Sequence, residues 1–323
     1  MKTIGICIPT YRRPAYLAKC LDSIIDQAQG LPVKLFVADD SCSDINAEVI
    51  RRATSRFAGL DWQRNPVNLG INENIRRVID CADTDYVWLV GEDDYFLPGA
   101  LSTAVNQIAT TPLPFFLCNY SFVGDDDAVP RRQALNLHTD ATISAEEFVE
   151  RHLWSAGFMG ACLLELAAWR RVASDRYHGT YYAHVGHIVE MLGEPHQAVR
   201  VLASPLVANR AEDPDFFTWR SDALGVYFGF EQMCRRAAER VPALADALEA
   251  AALVYREKQG YLSMRSLARM RADGILGVAS YRRYVEPSRH LGHKGMAALL
   301  IALLPRTVFQ AALATKRALQ SRA

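Results

Sequence analysis

The chain has 323 residues, 50% hydrophobic and 22% charged, a balance that excludes disorder as its default state. Thirty-six basic and 36 acidic side chains cancel, so no global field recruits nucleic acid. Seven widely spaced cysteines form no Cys-x-x-Cys pair, which excludes zinc-ribbon and thioredoxin-type motifs and fits small core side chains in a reducing cytosol.

In chain order, residues 4–8 read as a buried strand that Pro9 ends, followed by a polar turn over residues 9–13. Pro14 suits a first helical turn, and Leu17, Leu21, Ile24, Ile25 and Ala28 form one helical stripe. A second strand over 33–38 runs into a turn dense in capping residues, 39–44. Helices follow on Ile45, Val49, Ile50, Ala53 and Phe57, and then on Ile71, Ile75, Val78, Ile79 and Ala82. Residues 85–90 form a strand that breaks at Gly91, and Pro98 opens a helix carrying Leu101, Ala104, Val105 and Ile108 before a strand at 115–117. This alternation predicts an α/β fold with a mostly parallel sheet. A mixed region extends to about residue 215, and helical periodicity dominates 222–272. The expected organisation is an α/β domain over 1–215, a helical region over 216–290 that packs on it, and a basic amphipathic tail over 291–323.

In an open α/β sheet, ligands sit beyond the carboxyl ends of the strands. Three polar clusters, 9–13, 39–44 and 91–94, each directly follow an apolar strand and are expected to share one crevice. Glu92, Asp93 and Asp94 repel one another unless a cation relieves them, and hard ions such as Mg²⁺ or Mn²⁺ favour carboxylates plus substrate phosphates. A lone acidic triplet is more often a solvated turn; the buried strand before this one and the 98–101 helix start after it reverse that preference. The equally acidic Asp125, Asp126 and Asp127 follow Gly124 in a polar stretch and are assigned to a solvated loop. Asp39 and Asp40 are placed to accept from a base N–H or a ribose hydroxyl, or else to cap the next turn. A fourth cluster, 65–74, contains Asn68 and Gly70; glycine there permits close backbone approach, and the following helix start offers N–H groups to an anion.

These four segments, in this order, resemble the family 2 glycosyltransferases of the GT-A fold, over residues 3–120. Within that family the chain looks most like transferases of bacterial surface polysaccharide and O-antigen synthesis, the abequosyltransferase-like group. The resemblance implies that Pro9, Thr10, Tyr11 and Arg13 line the donor nucleotide site, with Asp39 and Asp40 on base or ribose. It places the metal motif at Gly91, Glu92 and Asp93, extended by Asp94. Gly91 departs from the pattern, standing where Asp is often found. Asp93 is then the first metal ligand expected and Asp94 the second, with Glu92 nearer the ribose. The implied partners are a nucleotide diphosphate-sugar and a saccharide or lipid-linked glycan acceptor. The general base is expected in the second half: His184 first, because it titrates near neutrality and precedes an apolar run, then Asp175, then the Glu212 and Asp213 pair.

Two alternatives stand beside this reading. A sugar nucleotidyltransferase would carry a Gly-rich basic loop where Pro9, Thr10 and Tyr11 stand, and a non-catalytic nucleotide-sugar binder would accommodate Gly91. No apolar run approaches the roughly 20 residues that span a bilayer, and residues 4–8 are too short for a signal peptide. The tail has no Asp or Glu after Glu286, so residues 294–323 read as an interfacial segment on anionic lipid, or as a helix packed on this domain or on a second copy. The expected location is the cytoplasm, on the inner face of the membrane.

Overall fold

The computed structural model describes residues 1–123, 132–172, 175–194, 196–210, 222–288 and 291–320. The first half alternates strand and helix: β1 (Ile4–Thr10), α1 (Pro14–Ala28), β2 (Val33–Asp39), α2 (Ala47–Arg56), β3 (Leu60–Arg64), α3 (Ile71–Asp80), β4 (Tyr86–Leu89), β5 (Tyr95–Phe96), α4 (Ala100–Thr110) and β6 (Phe115–Phe122). Next come β7 (Arg132–Gln133), β8 (Ala141–Ser144), α5 (Ala145–His152), β9 (Cys162–Glu165), α6 (Leu166–Arg170), α7 (Ala183–Met191) and β10 (Ala198–Asn209). Six helices follow: α8 (Ala223–Arg240), α9 (Ala245–Gln259), α10 (Met264–Asp273), α11 (Val278–Ser280), α12 (Gly292–Leu303) and α13 (Arg306–Gln320).

Every residue of β1 is buried, as a strand covered on both faces requires. Leu17, Cys20, Leu21, Ile24 and Ile25 place one face of α1 in the core; each such large aliphatic burial stabilises by about 1.5–3 kcal/mol. The strands form one sheet in the order β3-β2-β1-β4-β9-β6-β10-β5, with β7 on β6 and β8 on β10. The β1–β2, β2–β3, β1–β4 and β6–β10 pairs are parallel. The fold class expected from the sequence is the one observed. The central β9 is antiparallel to both β4 and β6. β10 shifts register between Leu202 and Val207, around Pro205, which cannot donate to a ladder.

The helical region is fastened to the sheet domain through α5 on α9 and α7 on α8. Inside it, Arg256 donates to both carboxylate oxygens of Glu231 at 2.9 and 2.8 Å, and the Tyr261 hydroxyl donates to the same carboxylate. Cys7, Cys20, Cys118, Cys162 and Cys234 are buried as free thiols, the core use expected for most of the cysteines.

Candidate active site

β1 lies between β2 and β4, so the loops that leave the carboxyl ends of these three strands are neighbours by topology. Polar contacts tie them together. Thr10, at the end of β1, donates its hydroxyl to Glu92, and the Tyr11 N–H reaches the same carboxylate oxygen at 2.8 Å. Asn46 Nδ2 donates to Asp39 Oδ1 at 3.0 Å, Ser41 Oγ at 3.1 Å and Thr10 Oγ1 at 3.3 Å. The Arg12 N–H donates to Ser41 Oγ at 2.8 Å. Arg12 and Cys42 hold φ of 58° and 54°, left-handed values that non-glycine residues keep only where surroundings enforce them.

The two aspartates that end β2 differ. Asp40 accepts from Asn65 Nδ2 at 2.9 Å, the Leu69 N–H at 2.8 Å and the Gly70 N–H at 2.9 Å. It is a brace for the 65–70 loop. Asn68 Oδ1 also takes the Gly70 N–H, at 2.9 Å, so that amide is already engaged rather than presented to an anion; Gly70 has φ 78°, which favours glycine. Asp39 uses Oδ1 for Ser41 N–H and Asn46, while its Oδ2 is buried with no hydrogen-bond partner, 3.9 Å from Arg64 Nε.

The acidic triplet follows β4. Trp88 at the base of this turn donates to the Gly160 carbonyl at 2.8 Å and meets Phe96 edge-on, which fixes the strand beneath the turn. A Cβ on Gly91 would lie 2.5 Å from Asp93 Oδ1 and 2.8 Å from Asp94 Oδ2. The two carboxylate oxygens therefore converge over the glycine, and a side chain there would displace them. Arg13 Nη1 donates to Asp93 Oδ2 at 3.3 Å and its Nε lies 3.8 Å from Glu92 Oε1. Burial pushes Glu92 up to about 7 against the pull of Thr10 and the Tyr11 N–H. Burial likewise raises Asp93, against Arg13, and raises Asp94 well above the carboxylate range, with Asp93 adding repulsion. Two converging oxygens whose charge is penalised by burial suit a divalent cation, which would offset the repulsion and take its remaining oxygens from a ligand. No group of three or more His, Cys, Asp or Glu side chains gathers for a metal among the described residues; a phosphate-bridged ion needs only one or two protein carboxylates.

Pro9 and Thr10 are buried at the end of β1, and Tyr11 is exposed beside Arg12, whose guanidinium lies 5.1 Å from its ring. The structure thus brings Pro9, Thr10, Tyr11, Arg13, Asp39, Asp40, Glu92, Asp93 and Asp94 to one sheet edge. His184 does not share that environment. It is 4% exposed within α7, Nε2 donates to the Ala156 carbonyl at 3.1 Å, and burial lowers it to about 4. An enclosed imidazole bonded to backbone cannot meet an acceptor hydroxyl, so the expectation of a base at His184 is corrected to a packing role. Asp175 lies on an exposed turn, its carbonyl accepting from the His178 N–H at 3.2 Å. Glu212 and Asp213 lie outside the described residues, as do Asp125, Asp126 and Asp127.

Three site residues were not singled out from the sequence. Asn46 and Arg64 carry no local signal in the sequence that marks them. Arg210 stacks its guanidinium 5.3 Å from the Tyr95 ring and 5.7 Å from the Tyr16 ring, and its backbone supports the Asp94 carboxylate. Only β5–β10 pairing, a contact between distant segments, brings it there.

Loops of this chemistry at the carboxyl edge of a mostly parallel sheet define a ligand-binding α/β protein. Residues 5–162 match the model of Glycosyl transferase family 2. Abequosyltransferase RfbV of Salmonella typhimurium is 26% identical over 228 residues, 66% of this chain and 68% of that protein. Among solved structures, S. aureus TarS 1–349 in complex with UDP-GlcNAc superposes with a TM-score of 0.61 at 14% identity, over 97% of this chain and 92% of that one. The mannosyltransferase PcManGT from Pyrobaculum calidifontis, in complex with GDP-Man and Mn²⁺, gives 0.51 at 15% identity over 94% and 87%. At those identities the two structures establish the shared GT-A fold.

Proposed function

We propose that this glycosyltransferase moves a sugar, with inversion, from a nucleotide diphosphate-sugar to a hydroxyl of a saccharide or lipid-linked glycan in bacterial surface polysaccharide synthesis. The observation that carries the reading is the meeting of three strand-end loops around the paired oxygens of Asp93 and Asp94 over Gly91. Its support from relatives is the name of the Salmonella protein and the donors and Mn²⁺ named with the two structures.

In this reading Pro9, Thr10, Tyr11 and Arg13 line the donor. Asp39 Oδ2, buried without a hydrogen-bond partner, accepts from the base once Arg64 moves aside. Asp40, Asn68 and Gly70 hold the wall of the pocket in shape. Glu92 faces the ribose, fixed by Thr10 and the Tyr11 N–H. Asp93 and Asp94 would hold Mg²⁺ or Mn²⁺, which supplies Lewis-acid neutralisation of the departing diphosphate. Arg13 and Arg210 add fixed positive charge beside the same carboxylates. For the general base, Asp175 is the variant to compare first, followed by the Glu212 and Asp213 pair. The domain limits proposed are 1–215, 216–290 and 291–323.

The test is release of nucleoside diphosphate from a panel of nucleotide-sugars, with and without a glycan acceptor, Mg²⁺, Mn²⁺ or chelator. Release that needs acceptor and metal supports transfer. Pyrophosphate release would instead indicate nucleotidyl transfer, and donor binding without turnover a non-catalytic homologue.

A further inference from the structure

The outer faces of α2 and α3 are covered by ion pairs: Arg52 and Arg56 with Asp22, Arg51 with Glu48, and Arg76 with Glu73 and Asp80. α12 is built differently. Ala298, Ile301 and Ala302 turn inward and are buried, while Met296, Leu300 and Leu303 are 59%, 57% and 60% exposed. Their spacing of four and three residues lines them along one side of the helix. Leu304 and Val308, 46% and 54% exposed, extend the apolar surface around the corner into α13.

That corner is rigidly made. α12 and α13 meet at 98°. Arg271, from α10, donates through Nε and Nη2 to the Leu304 carbonyl at 2.9 and 2.6 Å, and Arg306 Nε returns to the Ala272 carbonyl at 2.6 Å. Gln310 Nε2 joins the same carbonyl at 3.2 Å. The Leu304 carbonyl at the break is satisfied and α13 is tied to the end of α10, so the exposed leucines are held outward rather than left by fraying.

Charge identifies what covers this face. After Glu286 the sequence contains Arg289, Lys294, Arg306, Lys316, Arg317 and Arg322 and no acidic residue. Lys294 is exposed at the start of α12. No single helix among the described residues is long and apolar enough to cross a membrane, and a pair bent by 98° does not run straight through one. An apolar stripe on a chain segment whose own charges are all positive matches an anionic lipid surface, where the acyl boundary takes the leucines and the headgroups take the cations.

We propose that the outward face of α12, continued through Leu304 and Val308, docks the enzyme on anionic lipid, lying in the headgroup plane. The inference goes beyond the donor chemistry and does not depend on it. The experiment is flotation of the full chain with vesicles of phosphatidylcholine alone or with one-third phosphatidylglycerol. The wild type floats with the anionic vesicles, less so at high salt. The Leu300→Glu/Leu303→Glu double variant loses at least about tenfold in partitioning, because apolar contact is replaced by repulsion. Met296→Gln/Leu300→Gln, a milder change at exposed positions, loses less while keeping the wild-type melting temperature, and Lys294→Glu weakens binding only to the anionic vesicles. Donor turnover on a soluble acceptor is the same in all of them, which keeps this result separate from the test of the active site. Absence of flotation by the wild type overturns the proposal. So does equal flotation of wild type and double variant, equal binding to neutral vesicles, or a wild-type dimer that the double variant dissolves with no lipid binding by either.

Discussion

The loops after β2 and β4 both end a buried strand with adjacent carboxylates, yet they do opposite jobs. Asp40 is met by two backbone amides and a side-chain amide, and its charge is used up in shaping the 65–70 loop. Asp93 and Asp94 converge on one point over Gly91, where burial raises both. Counting acidic residues would rank the loops alike; where the donors lie separates a structural brace from a pair of buried, converging carboxylates.

The sharpest way to break this contrast is to neutralise the second loop. Asp93→Asn or Asp94→Asn should lower acceptor-dependent nucleoside diphosphate release by on the order of a hundredfold or more. The melting temperature should hold or rise, because buried like charge is removed; a comparable loss of melting temperature would place the triplet with the braces. Gly91→Ala comes next. Its methyl would press on both carboxylates, so turnover should fall by roughly tenfold, with a smaller change in stability. Asp40→Ala should do the reverse, destabilising by about 1–3 kcal/mol as the Leu69 N–H loses its acceptor and the 65–70 loop its brace, read from denaturant unfolding. If Asp40→Ala left stability intact and abolished donor binding, the brace assignment would fail. The smallest effect concerns His184. Its folded value near 4 lies below the ordinary 6.5, so the unfolded chain binds the extra proton between those values. Stability should be fully present above pH 6.5 and decline as pH falls toward 4. His184→Gln should flatten that decline while turnover at neutral pH stays near wild type, measured by melting temperature and rate across the same buffers.

Much of the first 120 residues was legible because their strands are covered on both faces and their helices carry one apolar stripe. The readings at 4–8, 33–38 and 85–90 correspond to β1, β2 and β4, within two residues at the strand ends. β3 went unread because only Leu60 is buried in it, so no apolar run marks it. β10 carries Pro205, which argues against a central strand in the sequence and is tolerated here at a register shift. The carboxylates were legible because charge directly after a buried strand is costly unless used. The roles of Asn46, Arg64 and Arg210 were not, since each acts through contacts set by topology. His184 misled because burial, not local sequence, fixes what an imidazole does.

The antiparallel strand β9 has a consequence for how the enzyme comes to exist. All four sequence motifs are synthesised before residue 100, yet the free edge of β4 is closed only by residues 162–165, and the turn after the triplet is backed by β10. A nascent chain, or a fragment cut after β6, carries all four motifs but leaves β4 with an open edge available for pairing with other chains. The recognisable half is therefore no independent module: a truncation at residue 123 should aggregate rather than bind nucleotide, and assembly of the crevice waits on contacts distant in sequence.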